Sequence, residues 1–281
     1  MGTARDYLSL LQFKIIALLV LSTVAGFAIA YKNYSGSVQN LVLVIIGIAT
    51  SASGAELLNK VLEKKTDKKM KRTSNRATVK GSINPKIGIL YGVLLSAMGI
   101  GFGYMVNYLT ALMIFLGVVF YVIVYTEVLK KRSYFNVIIG GFAGSFCVWA
   151  GVAAASNTIT IPGLMLGLLV LLWIPGHIWS FALKYRGDYI RAGVPMLTAI
   201  KRTSTGTKAI AVFNVLMAMI SAFLIPFLGA YYIIIIAIPL AAMLYLSFMT
   251  IANSSRTWTL FKFSSIFLAL VFMAVIVAAV F

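Results

Sequence analysis

Asn59, Glu63 and Asp67 follow one another at four-residue spacing in the stretch "NKVLEKKTD". On a helix turning 100° per residue, these three and Glu56 fall within about 80° of one another and form a single polar stripe. Carboxylates stacked in this way repel, by roughly a few tenths of a kcal/mol in water and more near lipid. The stripe needs a counter-charge, and two are available. Lys60, Lys64 and Lys68 can pair with the acids as a solvated helix face, or a divalent cation can sit between them. Carboxylate and amide oxygens suit magnesium, a hard ion that keeps waters and shares itself with phosphate oxygens.

A second group lies in "WIPGHIWSFALKYRGDYIRAGVPML". His177, Lys184, Asp188 and Arg191 fall within about 60° of one another if the helix continues through Gly187. Magnesium, several fixed cations and an apolar interior opening onto one mouth fit a diphosphate with a long hydrocarbon tail. If that tail is allylic, neutralising the departing diphosphate lets the carbon–oxygen bond ionise. The resulting carbocation needs a dry site near aromatic faces, for which Tyr121, Tyr125, Trp149, Trp173, Trp179 and Phe181 are candidates.

The elements that must position these groups are membrane helices. Apolar residues make up 61% of the 281, charged residues 11%, and the mean hydropathy is +0.99. Spanning hydrocarbon takes about 20 helical residues, and nine segments qualify: about 10–30, 38–58, 85–106, 109–129, 135–155, 161–184, 207–228, 230–251 and 259–281. The first run is read as a span rather than a cleaved leader. Connections are short, so residues 1–281 form one domain, an all-α integral membrane protein with nine transmembrane helices in a single bundle. Cys147 lies inside a span and excludes an internal disulfide.

All but Lys32 of the 24 basic residues fall on one side of this arrangement, which places the N-terminus in the cytoplasm and the C-terminus outside. Tyr31, Tyr34, Tyr104, Tyr108, Tyr231 and Tyr232 gather at the opposite ends, as an interfacial belt would. Topology and attraction to anionic lipid account for most of the formal charge of +18. Neither accounts for six carboxylates on that same face.

Three stretches, "NKVLEKKTDKKMKRTSNR", "VYTEVLKKRSYFNVIIGGFAG" and "HIWSFALKYRGDYIRAGVPML", together resemble the UbiA-type intramembrane prenyltransferases, and within them the haem-farnesylating branch. The resemblance implies a nine-helix bundle whose central cavity opens to the cytoplasmic side, with catalytic loops at about 59–84, 129–135 and 184–206. It implies magnesium, farnesyl diphosphate as donor and haem b as acceptor substrate rather than cofactor. Asn59, Glu63, Asp67 and Asp188 would then hold metal, with Lys184 beside them in catalysis. Arg72, Arg76, Lys130, Arg132 and Arg191 would meet the diphosphate, and His177 the haem. Glu63 stands where the family usually has aspartate, which changes the reach of one metal ligand.

Two other readings share parts of this pattern: the same prenyl transfer onto a quinone precursor or a glycerophosphate lipid, and an anion transporter with a basic vestibule. The expected setting is a multi-pass protein of a prokaryotic cell membrane with its active site facing the cytoplasm. Its expected partners are the lipid bilayer and haem-handling or oxidase-assembly proteins, and not nucleic acid.

Overall fold

Among the described residues of the computed structural model, nine helices are long and apolar enough to cross a bilayer. They are α1 Phe13–Tyr31, α2 Val38–Leu62, α3 Pro85–Val106, α4 Tyr108–Leu129, α5 Asn136–Ser156, α6 Ile161–Lys184, α7 Thr203–Phe223, α8 Ile225–Ala252 and α9 Ser254–Val280. The structure describes residues 1–281 except 1, 2, 4, 5, 8, 32–35 and 281. Arg5, Lys32 and Tyr34, from which orientation and the aromatic belt were partly read, lie outside the described residues.

Hydrocarbon offers no hydrogen bonds, so each apolar run closes its backbone groups within its own helix. Polar residues end one span and begin the next. Ser37 Oγ accepts the Asn40 N–H at 3.1 Å at the start of α2, and Asn107 Oδ1 accepts the Thr110 N–H at 2.7 Å at the start of α4. Thr160 Oγ1 does the same for Gly163 N–H at 3.2 Å, with Pro162 in the first turn of α6. Most expected boundaries agree within a few residues. The exception is the α7–α8 pair: α7 begins at the polar Thr203 and ends at Phe223, whereas apolarity alone placed it at 207–228. The bend inside α8 falls at Gly229, whose φ of 72° is open to glycine.

Both polar stripes depart from the continuous helices expected of them. α2 stops at Leu62, Glu63 takes φ −83° and ψ 2°, and a separate turn, Lys64–Asp67, follows. α6 stops at Lys184, Tyr185 takes φ −106° and ψ 30°, and a short helix, Arg186–Ala192, follows. A third irregularity occupies the last ten residues of α4, Phe120–Leu129, which form wider π-helical turns. There Lys130 N–H bonds to Tyr125 O at 2.8 Å, five residues back.

α2 packs along α3, α1 along α5, α6 along α7 and α8 along α9, while α9 returns to touch both α1 and α6. α5 is the most enclosed span. Polar groups tie helices together inside: Thr23 Oγ1 donates to Cys147 O at 3.0 Å, and Ser145 Oγ to Gly167 O at 2.8 Å. Such bonds within a membrane contribute on average about 0.6 kcal/mol each. Backbones also come into direct contact. A methyl added at Gly54 of α2 would lie 2.6 Å from Gly92 O of α3, and one at Gly151 of α5 would overlap Thr23 O of α1. Small residues at such crossings are how membrane helices gain close packing.

Candidate active site

Four buried acids lie in the last turns of α2 and in the segments that follow α2 and α6. Glu56, Glu63, Asp67 and Asp188 are all buried, and each has a cation. Glu56 Oε2 is 2.9 Å from Lys60 Nζ, Asp67 Oδ2 is 2.6 Å from Arg76 Nη1, Glu63 pairs with Lys130, and Asp188 with Arg191. Of the neighbouring lysines considered as counter-charges, Lys60 alone serves, on Glu56. Glu63 and Asp67 draw theirs from α4's end and from the following loop.

That loop is wound back on itself. Thr73 Oγ1 donates to Asp67 O at 3.0 Å, and Arg76 returns to the Asp67 carboxylate. Between them the Lys71 N–H reaches Asp188 Oδ1 at 3.3 Å, so the segment after α2 closes onto the segment after α6.

Glu63 and Lys130 are a mutually supporting pair. Burial pushes the Glu63 carboxyl up, but the ammonium of Lys130, with Lys60 and Arg76 behind it, outweighs burial and holds it below its ordinary 4.5. Burial pulls the Lys130 ammonium down, and the Glu63 carboxylate, with smaller help from Tyr125, raises it above its ordinary 10.5. Both directions say that the pair stays ionised. Tyr189, in the helix after α6, is raised by burial against the pull of Lys130 and Arg72.

Asn59 sits within a network that fixes both ends of its amide. Its Nδ2 donates to Thr126 Oγ1 at 2.9 Å, its Oδ1 accepts from Lys60 Nζ at 3.3 Å, and Thr126 Oγ1 donates to Tyr121 O at 2.8 Å. Tyr121 OH and Gln12 Nε2 each donate to Glu56 at 2.9 Å. Gln12 and Thr126 were not singled out from sequence. Thr126 meets Tyr121 five residues back, a spacing that points nowhere on an ordinary helix.

Lys71, Arg72, Lys184, Tyr185, Gly187, Asp188 and Arg191 line a cleft of about 460 Å³. Four cations around one buried carboxylate suit a polyanion carrying a metal. Lys71 is the addition here; Arg76 and Lys130 lie on carboxylates instead. Arg132 is exposed and belongs to none of the ion pairs among the described residues.

His177 is turned toward α9. Its Nδ1 lies 2.9 Å from Ser264 Oγ, and its ring is stacked between Trp173 and Phe261 at centroid distances of 4.3 and 4.2 Å. Trp173 Nε1 donates to Ser264 O at 3.0 Å, which fixes the same seam. The Nδ1 partner of the imidazole is thus the Ser264 hydroxyl. Ligation of iron from this ring would fall to Nε2.

Among the described residues, no three acidic, histidine or cysteine groups converge on a point that could hold a metal by themselves. The chemistry of the donors nevertheless fits magnesium. Asp67 engages its partner through Oδ2 and Asp188 through Oδ1, which leaves Oδ1 of the first and Oδ2 of the second, both hard oxygens. An ion that retains waters and takes its other ligands from a diphosphate needs few from the protein.

The sequence profile of the UbiA prenyltransferase family matches residues 19–279. The protoheme IX farnesyltransferase of Sulfolobus acidocaldarius is 41% identical over 275 residues, which is 97% of this chain and 95% of that one. The protoheme IX farnesyltransferase of Sulfurisphaera tokodaii is 39% identical over 277 residues, covering 97% and 92%. Among solved structures, digeranylgeranylglyceryl phosphate synthase superposes with a TM-score of 0.80 at 20% identity, over 98% of both chains. A UbiA homologue from Archaeoglobus fulgidus bound to DMAPP and Mg2+ superposes with 0.73 at 17% identity, over 97% of this chain and 99% of that one. At these identities the superpositions establish the fold.

Proposed function

We propose, from the fact that this chain belongs to the UbiA prenyltransferase family, that it transfers the farnesyl group of farnesyl diphosphate to a vinyl group of haem b with addition of water. The relatives at 39–41% identity over 97% of the chain carry the acceptor. The contact of Lys71 with Asp188 supports the donor site, because it brings the loop that follows Asp67 to a cleft lined by four cations and the Asp188 carboxylate.

In this reading Lys71, Arg72, Lys184 and Arg191 take the diphosphate oxygens. Glu63, Asp67 and Asp188, with the Asn59 amide held beside them, would hold magnesium. Bound there, magnesium supplies neutralising charge to the departing diphosphate. Arg76 and Lys130 keep the acids ionised and buried in place, and Arg132 stands at the exposed edge. The farnesyl C1–O bond breaks with its electron pair leaving on diphosphate. The vinyl π bond of haem then forms a carbon–carbon bond to C1, and water adds its oxygen to the new cation and loses a proton. His177 lies on the acceptor side, in the seam of α6 and α9.

The cleft faces the cytoplasm of a cell membrane in this reading, supported by the basic residues around it. Haem-handling or oxidase-assembly proteins would supply haem b and take the product.

The test is an incubation of detergent-solubilised protein with haem b, farnesyl diphosphate and magnesium, followed by mass analysis of extracted haem. Haem heavier by farnesyl plus water is expected, and it is lost when magnesium is chelated. Diphosphate released without modified haem would move the chemistry to another acceptor.

A further inference from the structure

The start of α9 carries an aromatic cluster that lies beside the donor cleft. Trp258 and Phe261 stack at 4.7 Å with an angle of 11° between their planes. Phe181 and Tyr185 of the α6 end close around them, with centroids 6.5 and 6.3 Å from Trp258. Phe261 continues the stack to His177. Two ammoniums approach the one indole: Lys184 Nζ at 5.7 Å from its centroid and Lys262 Nζ at 5.9 Å. A third cation, the Arg72 guanidinium, lies 5.0 Å from the Phe181 centroid.

Neither lysine takes part in an ion pair among the described residues, and both are exposed, while Trp258 is half-buried. Lysine and tryptophan are common at a membrane border, where they snorkel and anchor. Anchoring does not require cations from a loop, from α6 and from α9 to converge on one ring cluster. Cations gathered at one ring cluster form a local positive field that attracts an anion.

We propose that the Lys184–Trp258–Lys262 wall is the acceptor subsite, built for a flat aromatic ring system that bears two carboxylates. The inference rests on the haem reading above and names how haem is held. Trp258 and Phe181 offer an apolar edge to the macrocycle, and the Lys262 ammonium meets its propionates at the border with water. Lys184 also lines the diphosphate cleft, so the wall sets the acceptor beside the donor. Lipid phosphates carry anionic charge of the same kind and are the competing source.

Binding is read without turnover, by titrating haem b and its dimethyl ester into detergent-solubilised protein and following the haem absorbance band. Wild-type protein is expected to prefer the free diacid about tenfold, and Lys262→Met to lose that preference with ester binding unchanged. Trp258→Leu is expected to weaken both ligands. In turnover, Lys262→Met raises the KM for haem and leaves the KM for farnesyl diphosphate alone. Equal binding of diacid and ester by wild type, or unchanged diacid binding by a Lys262→Met protein that melts like wild type, overturns the proposal. So does a Lys262→Met effect that appears only in vesicles of anionic lipid, which assigns the wall to headgroups. Haem that binds as expected but is never farnesylated refutes the proposed reaction and leaves the subsite standing.

Discussion

The Lys71 backbone N–H donates to Asp188 Oδ1 across 117 positions of sequence. This hydrogen bond joins the loop after α2 to the helix after α6. Asp188 also holds the Arg191 guanidinium through the same oxygen.

Asp188→Asn keeps an oxygen that can accept the Lys71 N–H but removes the charge. Turnover should fall by about 10²-fold or more, as for loss of one preorganised electrostatic group, while the thermal midpoint moves little. Wild-type turnover in this variant would remove Asp188 from the chemistry.

Lys130→Met leaves Glu63 buried without its counter-charge. Breaking a buried pair on one side costs about 3–5 kcal/mol, so the variant should melt well below wild type in detergent. Adding Glu63→Gln should restore much of the loss. If the double variant is no more stable than the single one, the pair is not what matters at this position.

The pH dependence of that pair has a definite sign. Glu63 is depressed below 4.5, so its contribution is present above that value and fades as pH falls through the depressed pKa. Lys130 is raised above 10.5, so its contribution is present below that value and fades as pH rises through the raised pKa. The melting difference between wild type and the Glu63→Gln/Lys130→Met double variant should stay level from about pH 5 to 10 and shift below about 4.5. A change centred near neutrality would contradict the assignment.

Gly54→Ala puts a methyl against the α3 backbone. Overpacking of this kind costs about 1–3 kcal/mol. Because Asn59 lies just beyond on the same helix and Glu63 caps its end, the KM for farnesyl diphosphate should rise as the melting point falls. Neither changing would mean that the helices can part without cost.

His177→Phe retains a ring between Trp173 and Phe261 and removes the nitrogens. Stability should hold within about 1.5 kcal/mol, the scale of one hydrogen bond, and farnesylated haem should fall more than magnesium-dependent diphosphate release. Equal loss of both would make the imidazole a packing element alone.

The spans were legible because hydrocarbon leaves a helix one solution, and the Asn and Ser caps mark its ends in plain letters. The acids were legible too, as a group in need of counter-charges. Their local geometry was not. Periodicity carried both stripes through Glu63 and Gly187, yet the chain breaks at Glu63 and Tyr185, where Lys130 and Lys71 arrive from distant segments. The pairing of Lys130 with Glu63 was hidden for the same reason: only the fold brings the two together. The α6–α9 seam was invisible because the Trp173 and Ser264 that hold His177 are 91 residues apart.

The wide turns that end α4 also act on the helix as a phase shift. An ordinary helix keeps one angular clock from end to end, and a residue's facing follows from counting. In Phe120–Leu129 the clock runs slow, with Lys130 closing on Tyr125 rather than on Thr126. The face that Tyr121 shows Glu56 and the direction from which Lys130 meets Glu63 are therefore set by the pitch between them. Loss of a single residue there would leave the composition of the span almost untouched and turn Tyr121 or Lys130 away from the acids they meet.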